Sequence, residues 1–234
     1  MRSFGADVIR VKGNYDNSLK ECVKQSKKNN WQIVQDVAWE DYKLVPKLTM
    51  AGYSVMMKEI SEQINDQKIS HVILQAGVGG MAAAMVAGIA RYLENVPKII
   101  VVEPQSAACV LESIRSSKIK KISISKESLM GGMSCDEVSL LPWEILKSSV
   151  DYCVTVSDDY ISKTVKSLAN CKFSEEKIVG GECSTPGIIS LIGLNNDEKV
   201  KNQIELNENS NVLLFGCEGD ADENLYQELL NKND

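Results

Sequence analysis

The chain has 234 residues, of which 44% are hydrophobic, and a formal net charge of −6 at pH 7. This length allows one substantial core or two small ones. The acidic balance argues against nucleic-acid or anionic-membrane partners, and no apolar run approaches the roughly 18 residues of a membrane span. Seven cysteines without a CxxC pair indicate reduced thiols in the cytoplasm, with neither a disulfide framework nor a zinc site.

Predicted strands and helices alternate along the first half of the chain. Short apolar runs predict the strands, and apolar residues at helical spacing predict the helices. The predicted strands are 6–11, 31–35, 71–75 and 98–102, and the predicted helices are 16–28, 46–64, 81–93 and 106–116. The one histidine, His71, opens a predicted buried strand, where we expect it to be structural.

The pattern loosens after residue 117 and then resumes. Gly131 and Gly132 indicate a loop that reaches towards a ligand, and a short helix follows around Pro142. Two more strands, at 152–156 and 211–215, flank a helix at 158–170 and a helix that starts near Pro186. Apolar strands alternating with helices predict an α/β fold, with a mostly parallel sheet covered by helices on both faces.

The segment 71–90, HVILQAGVGGMAAAMVAGIA, predicts a strand, a glycine turn and a helix. The turn comprises Gly77, Val78, Gly79, Gly80 and Met81. Glycines let a backbone bend tightly around a ligand, and a helix start directs free N–H groups and a positive dipole at it. The segment therefore predicts a phosphate site. The alternative interpretation is a tight turn whose glycines serve only packing.

Ligands in open α/β sheets bind beyond the carboxyl ends of the strands. The candidate residues there are Asp36, 77–81, Glu103, Glu182 and 217–220. One interpretation is a dinucleotide site, because GVGGMA satisfies G-x-G-x-x-[GA] and Glu103 follows the next strand, as a ribose-binding acid would.

A second interpretation comes from a family resemblance carried by five segments. They are NYDNSLKECVKQSKKNNWQIVQDVAWEDY, LQAGVGGMAAA, VVEPQSAACV, GGECSTPGI and LFGCEGDAD. In this order they resemble diaminopropionate ammonia-lyases, which are pyridoxal-phosphate enzymes of fold type II, the tryptophan-synthase-β-like fold. The resemblance covers essentially the whole chain, and the segments together are far more specific than any one of them.

The resemblance implies a lyase that uses pyridoxal 5′-phosphate to convert 2,3-diaminopropionate to pyruvate and ammonia in amino-acid catabolism. It implies that the turn 77–81 binds the cofactor phosphate through backbone N–H groups. It also implies that Asp36 removes the α-proton of one substrate enantiomer, a role suited to a partly buried carboxylate. The alternative for Asp36 is a helix N-cap. Four residues would lie on the pyridine-ring side: Glu182, Cys217, Gly219 and Asp220.

The chain departs from the family pattern in two respects. It begins inside that pattern, so we expect residues 1–40 to be the remnant of a smaller cofactor-side domain and residues 41–234 to be the large domain. The Schiff-base lysine, a glycine/asparagine loop and a second catalytic aspartate would lie upstream. Secondly, Cys217 stands where relatives place a hydroxyl, which is a stronger hydrogen-bonding group.

These departures leave two hypotheses. One is a lyase that is inactive unless the upstream part is present, and a homodimer if complete. The other is a non-catalytic remnant of that enzyme.

Overall fold

The computed structural model describes residues 1–13, 15–64 and 67–232. The chain divides into two compact units, Met1–Gln35 and Asp36–Asp234.

Among its described residues, the first unit has one α-helix, α1 (Tyr15–Asn29), after a 3-10 turn at Arg2–Phe4. The strands predicted at 6–11 and 31–35 are absent from the described residues of this unit, so both predictions are wrong. A strand needs a hydrogen-bonded neighbour, which an apolar run cannot guarantee. Val34, for example, is 79% exposed. The predicted helix at 16–28 is confirmed.

The second unit is built on a parallel sheet of four strands. These are β1 (His71–Gln75), β2 (Lys98–Pro104), β3 (Tyr152–Val156) and β4 (Val212–Leu214). Their order is β3-β2-β1-β4, and each described pair is parallel. The fold class predicted from the sequence is confirmed, and so are its strands from residue 71 onwards.

Eight helices of the described chain accompany these strands. They are α2 (Leu44–Gln63), α3 (Gly80–Tyr92), α4 (Cys109–Ser116), α5 (Leu140–Ser149), α6 (Ile161–Ala169), α7 (Pro186–Asn196), α8 (Glu198–Gln203) and α9 (Glu223–Asn231).

Both faces of the sheet are covered, because alternate residues of β1 enter two different cores. Val72 and Leu74 pack with α2, α3 and α5, whereas Ile73 packs with α6, α7 and α9. This explains why the interior of the strand, from Val72 to Leu74, is apolar. His71 is buried at the start of β1, where its Nε2 lies 2.8 Å from the carbonyl oxygen of Ile204 and its Nδ1 lies 2.8 Å from the Ser70 hydroxyl. Its predicted structural role is therefore confirmed.

Among residues 1–13, 15–64 and 67–232, no helix combines the length and the apolar character that a membrane span needs.

Helices α2 and α3 pack closely at Gly88, which predicts a contrast between two glycines. A Cβ at Gly88 would lie 2.5 Å from the Met57 Cβ, whereas a Cβ at Gly52 would meet nothing within 4 Å. Gly88→Ala should lower the free energy of unfolding by about 1–3 kcal/mol through overpacking. Gly52→Ala should raise it by about 0.5–1 kcal/mol through helix propensity. Urea unfolding measures both, and equal effects would contradict this packing.

Candidate functional site

A cavity of about 220 Å³ lies at the carboxyl end of β1, within the Asp36–Asp234 unit. Turns that follow β1 and β4 form most of its wall, together with the loop that precedes α5. The lining residues are Asp36, Tyr53, Gln75, Ala76, Gly77, Val78, Gly79, Gly80, Met81, Ala82, Gly132, Met133, Cys183, Cys217 and Glu218. The predicted loop at Gly131 and Gly132 thus reaches the cavity.

The glycine turn forms the cavity wall at the start of α3. Gly79 is the N-cap of this helix, with a φ of 91°, and no described side chain caps it. The first N–H groups of an α-helix have no intrahelical acceptor, so at this position they are oriented beyond the helix start. The predicted sequence of strand, glycine turn and helix is therefore confirmed, and its geometry suits an anion.

The three glycines of the turn meet different constraints. A Cβ at Gly77 would lie 2.8 Å from the carbonyl oxygen of Gly132, and one at Gly79 would lie 2.9 Å from Leu146 Cδ1. A Cβ at Gly80 would meet nothing within 4 Å, although Gly80 lines the cavity. Packing therefore accounts for glycine at position 77, and packing together with the positive φ accounts for it at position 79, while position 80 keeps open space at the helix start.

Gln75 connects the elements that surround the cavity, a role that its strand pattern did not predict. Its amide nitrogen donates to the carbonyl oxygens of Phe215 at 2.9 Å and Cys183 at 3.3 Å. Its buried Oε1 has no hydrogen-bond partner among the described residues. A polar residue at the carboxyl end of a strand with an apolar interior was the available sequence signal. A carbonyl oxygen without a donor at a cavity wall is consistent with a site that accommodates a polar ligand.

Glu218 joins two further turns beside Gln75. Its Oε2 accepts the N–H of Cys183 at 2.6 Å, and its carbonyl oxygen accepts the N–H of Gly181 at 3.0 Å. The Ser184 hydroxyl accepts the N–H of Glu218 at 2.9 Å. These bonds fix the turn after β4 against the turn before α7.

Three residues predicted for the ring side lie next to the cavity lining and are not part of it. A carboxylate oxygen of Glu182, the Sγ of Cys183 and a carboxylate oxygen of Glu218 all lie within 4.8 Å of one another. Burial raises the pKa of Glu182, and the negative charge of Glu218 raises it further. Gly219 places its carbonyl oxygen against Gly181, and Asp220 is exposed. Cys217 is the one of the four predicted residues that lines the cavity.

The two cavity thiols are suited to hydrogen bonding. Burial raises the pKa of Cys183 to about 12, with a further contribution from the charge of Glu218. Burial also raises the pKa of Cys217. Because their pKa values are raised, both thiols stay protonated at neutral pH. They are therefore unsuited to act as nucleophiles, which require a lowered pKa.

Asp36 lines the cavity as an exposed residue, without the partial burial expected of a tuned base. The interpretation as a helix N-cap is wrong, because the next helix, α2, has Lys43 at its N-cap. The adjacent backbone is fixed by the N–H of Ala38, which donates to the Ser139 hydroxyl at 2.8 Å. Burial raises the pKa of Cys135 to about 11, and the negative charge of Asp36 is a further cause.

Glu103 cannot serve as a ribose-binding acid, so the dinucleotide interpretation is wrong. The residue is fully buried, and its two carboxylate oxygens accept the N–H groups of Val110 at 2.7 Å and Leu111 at 2.8 Å. Burial raises its pKa to about 7. The Glu103 carboxylate thus provides hydrogen-bond acceptors for two N–H groups at the N-terminus of α4.

The chain belongs to the pyridoxal-phosphate dependent enzyme family, whose family model matches residues 1–217. Among curated relatives, it is 30% identical to the diaminopropionate ammonia-lyase of Escherichia coli K12 and 28% identical to that of Salmonella typhimurium LT2. These matches cover 97% and 98% of this chain but 59% of each relative.

A solved structure shows the same similarity to a diaminopropionate ammonia-lyase and the same partial coverage of the relative. The crystal structure of the Escherichia coli enzyme in complex with D-serine matches with a TM-score of 0.88 at 28% identity. That match covers 97% of this chain and 58% of the solved chain. The resemblance and the fold type inferred from the sequence are confirmed.

The open space at Gly80 predicts a selective effect on ligand binding. Gly80→Ala adds a methyl group where the helix start faces the cavity, so it should weaken binding of pyridoxal phosphate at least about tenfold, or ~1.4 kcal/mol. The thermal unfolding midpoint should not fall, because the added Cβ meets no atom within 4 Å. Gly193→Ala in α7, which also has nothing within 4 Å, is the matched control. Equal affinities measured by calorimetry would contradict a phosphate site at this turn.

Proposed function

We propose that this chain forms the phosphate-binding part of a pyridoxal-phosphate-dependent ammonia-lyase that acts on 2,3-diaminopropionate. The observation that carries the proposal is the uncapped start of α3 at the glycine turn, which opens into the cavity. Family membership supports the cofactor, and the similarity to diaminopropionate ammonia-lyases supports the substrate.

The cavity fits the phosphate of this cofactor. Open space at Gly80 and the first N–H groups of α3 provide an anion site without a side-chain cation. Backbone groups of Gly77, Val78, Gly79, Gly80 and Met81 would hold the phosphate. When bound, pyridoxal phosphate supplies an electron sink for the substrate amino acid.

The ring side of the cofactor would face the turns that Glu218 connects. Cys217 would offer its protonated thiol as a weak donor or acceptor. Glu182, Gly219 and Asp220 would support this side from just outside the cavity lining. Burial and the negative charge of the neighbouring Glu218 both raise the pKa of Glu182.

Asp36 would accept the α-proton of one substrate enantiomer at its carboxylate. Its place on the cavity wall supports this role, because a general base must reach the proton that it removes. In this chain the residue is exposed, so a substrate or a further segment of polypeptide would have to desolvate it.

We propose that the lysine of the family's chemistry comes from polypeptide outside these 234 residues. Among the described residues that line the cavity there is no lysine. The chain spans 59% of the length of the curated relatives. This observation also favours a second candidate function, a fragment that binds phosphate or the cofactor without catalysis.

We further propose that the complete enzyme is a cytoplasmic homodimer in amino-acid catabolism. Free cysteines support the compartment, and the ammonia-lyase relatives support the metabolic role.

A complementation assay tests the catalytic proposal. The chain alone should release no ammonia from diaminopropionate. A fusion of the chain to the part of the Escherichia coli enzyme outside the matched 59% should release ammonia. In the active fusion, Asp36→Asn should lower kcat for one enantiomer at least about 100-fold, with little change in cofactor affinity.

The exposed Asp41, which does not line the cavity, provides the control Asp41→Asn. If Asp36→Asn weakens cofactor binding but leaves the rate at saturating substrate unchanged, Asp36 is structural. If the fusion is folded and cofactor-loaded but inactive, the second candidate function is favoured.

A further inference from the structure

The cavity at the carboxyl end of β1 offers different polar groups on two of its sides. At the start of α3 the wall presents backbone N–H groups, which are hydrogen-bond donors. At the end of β1 and in the turns before α7 and after β4, the polar side chains of the lining are Gln75, Cys183, Cys217 and Glu218. The second side, hereafter the acceptor side, carries a carboxamide oxygen and a carboxylate. A ligand that fits both sides has an anion at one end and a hydrogen-bond donor at the other.

The carboxamide of Gln75 supplies the first acceptor. Its amide nitrogen donates to the carbonyl oxygens of Phe215 and Cys183, which distinguishes the nitrogen end of the group from the oxygen end. Gln75 is only 7% exposed, and its Oε1 has no hydrogen-bond partner among the described residues. A buried carbonyl oxygen without a donor costs free energy, so this wall favours a ligand that brings a donor.

Glu218 supplies the second acceptor, and hydrogen bonds fix its position. Its Oε2 accepts the N–H of Cys183 at 2.6 Å. Its backbone N–H donates to the Ser184 hydroxyl at 2.9 Å, and the same hydroxyl donates to its carbonyl oxygen at 2.6 Å. A carboxylate has about four lone-pair positions, so Glu218 can also accept a hydrogen bond from a ligand.

The other groups near the acceptor side are less suited to accept such a bond. Cys217 lines the cavity but is exposed, and its thiol is a weak acceptor. Glu182 lies outside the cavity lining. Asp36 is exposed and belongs to the segment before α2, away from these turns in the sequence. Glu218 is thus the half-buried carboxylate of the acceptor side.

We propose that the Glu218 carboxylate accepts a hydrogen bond from the pyridine nitrogen of pyridoxal phosphate and keeps this nitrogen protonated. The proposal rests on the proposed function, because it requires the cofactor phosphate at the glycine turn. The Cys217 thiol, by contrast, would donate to an unprotonated nitrogen. An adjacent carboxylate stabilises the protonated pyridine and raises its pKa. Glu218 would therefore tune the cofactor, since protonation of the ring strengthens its capacity as an electron sink.

Nitrogen-15 NMR of the bound cofactor tests this proposal without any turnover. The 234-residue chain is saturated with pyridoxamine 5′-phosphate that carries nitrogen-15 in its ring. This form of the cofactor has no aldehyde and needs no lysine. The pH dependence of the ring-nitrogen chemical shift gives the pKa of the bound pyridine. In Glu218→Gln this pKa should be at least about one unit lower than in the parent chain, because the amide carries no charge.

Two further variants serve as controls. Glu228→Gln, at an exposed position of α9 outside the cavity lining, should leave the pKa of the bound pyridine unchanged. Cys217→Ser should shift this pKa less than Glu218→Gln does. A larger shift in Cys217→Ser than in Glu218→Gln would assign the ring nitrogen to position 217 and overturn the proposal.

The parent chain provides a measurement that does not depend on how well a variant folds. The pKa of the pyridine should be higher in the bound cofactor than in the free cofactor, and a lower value overturns the proposal. If the labelled cofactor does not bind, or binds equally well to Gly80→Ala, the proposed function fails and this proposal fails with it. If binding depends on Gly80 but the pKa is the same in the parent chain and in Glu218→Gln, this proposal alone fails.

Discussion

The parallel pairing of β1 with both β2 and β4 is the constraint on which the candidate site depends. His71 lies opposite Lys98 on one side and Val212 on the other, so the carboxyl ends of the three strands lie at the same end of the sheet. The turns that follow these strands must therefore lie close together. The Gln75 amide then ties the end of β1 to Phe215 and Cys183. Backbone pairing thus brings together residues that lie up to 140 positions apart.

The electrostatics of the site follow from this backbone arrangement. Asp36 and Glu218 line the cavity, and no described lysine or arginine does so. A phosphate would therefore depend on the helix dipole and on N–H groups at the start of α3 for its stabilisation. Such a site requires close approach of the backbone, which the open space at Gly80 allows.

Patterns in the sequence predicted the elements whose stability is local or whose strands have a partner. The runs at 71–75, 98–102 and 152–156 are strands because each pairs with a neighbouring strand, whereas those at 6–11 and 31–35 lack a partner strand in their own unit. The position of Glu103 after a strand suggested ribose binding, but two N–H groups of α4 occupy its carboxylate. Contacts such as that between Gln75 and Phe215 depend on strand order, which residue patterns do not encode.

The central claim is that the start of α3 binds the phosphate of pyridoxal phosphate, and a crystal of the chain soaked with this cofactor tests it most directly. The account predicts phosphate density within hydrogen-bond distance of backbone nitrogens among Gly77–Met81, beside the open face of Gly80. Phosphate density elsewhere on the chain, with this turn vacant at saturating cofactor, would contradict the account.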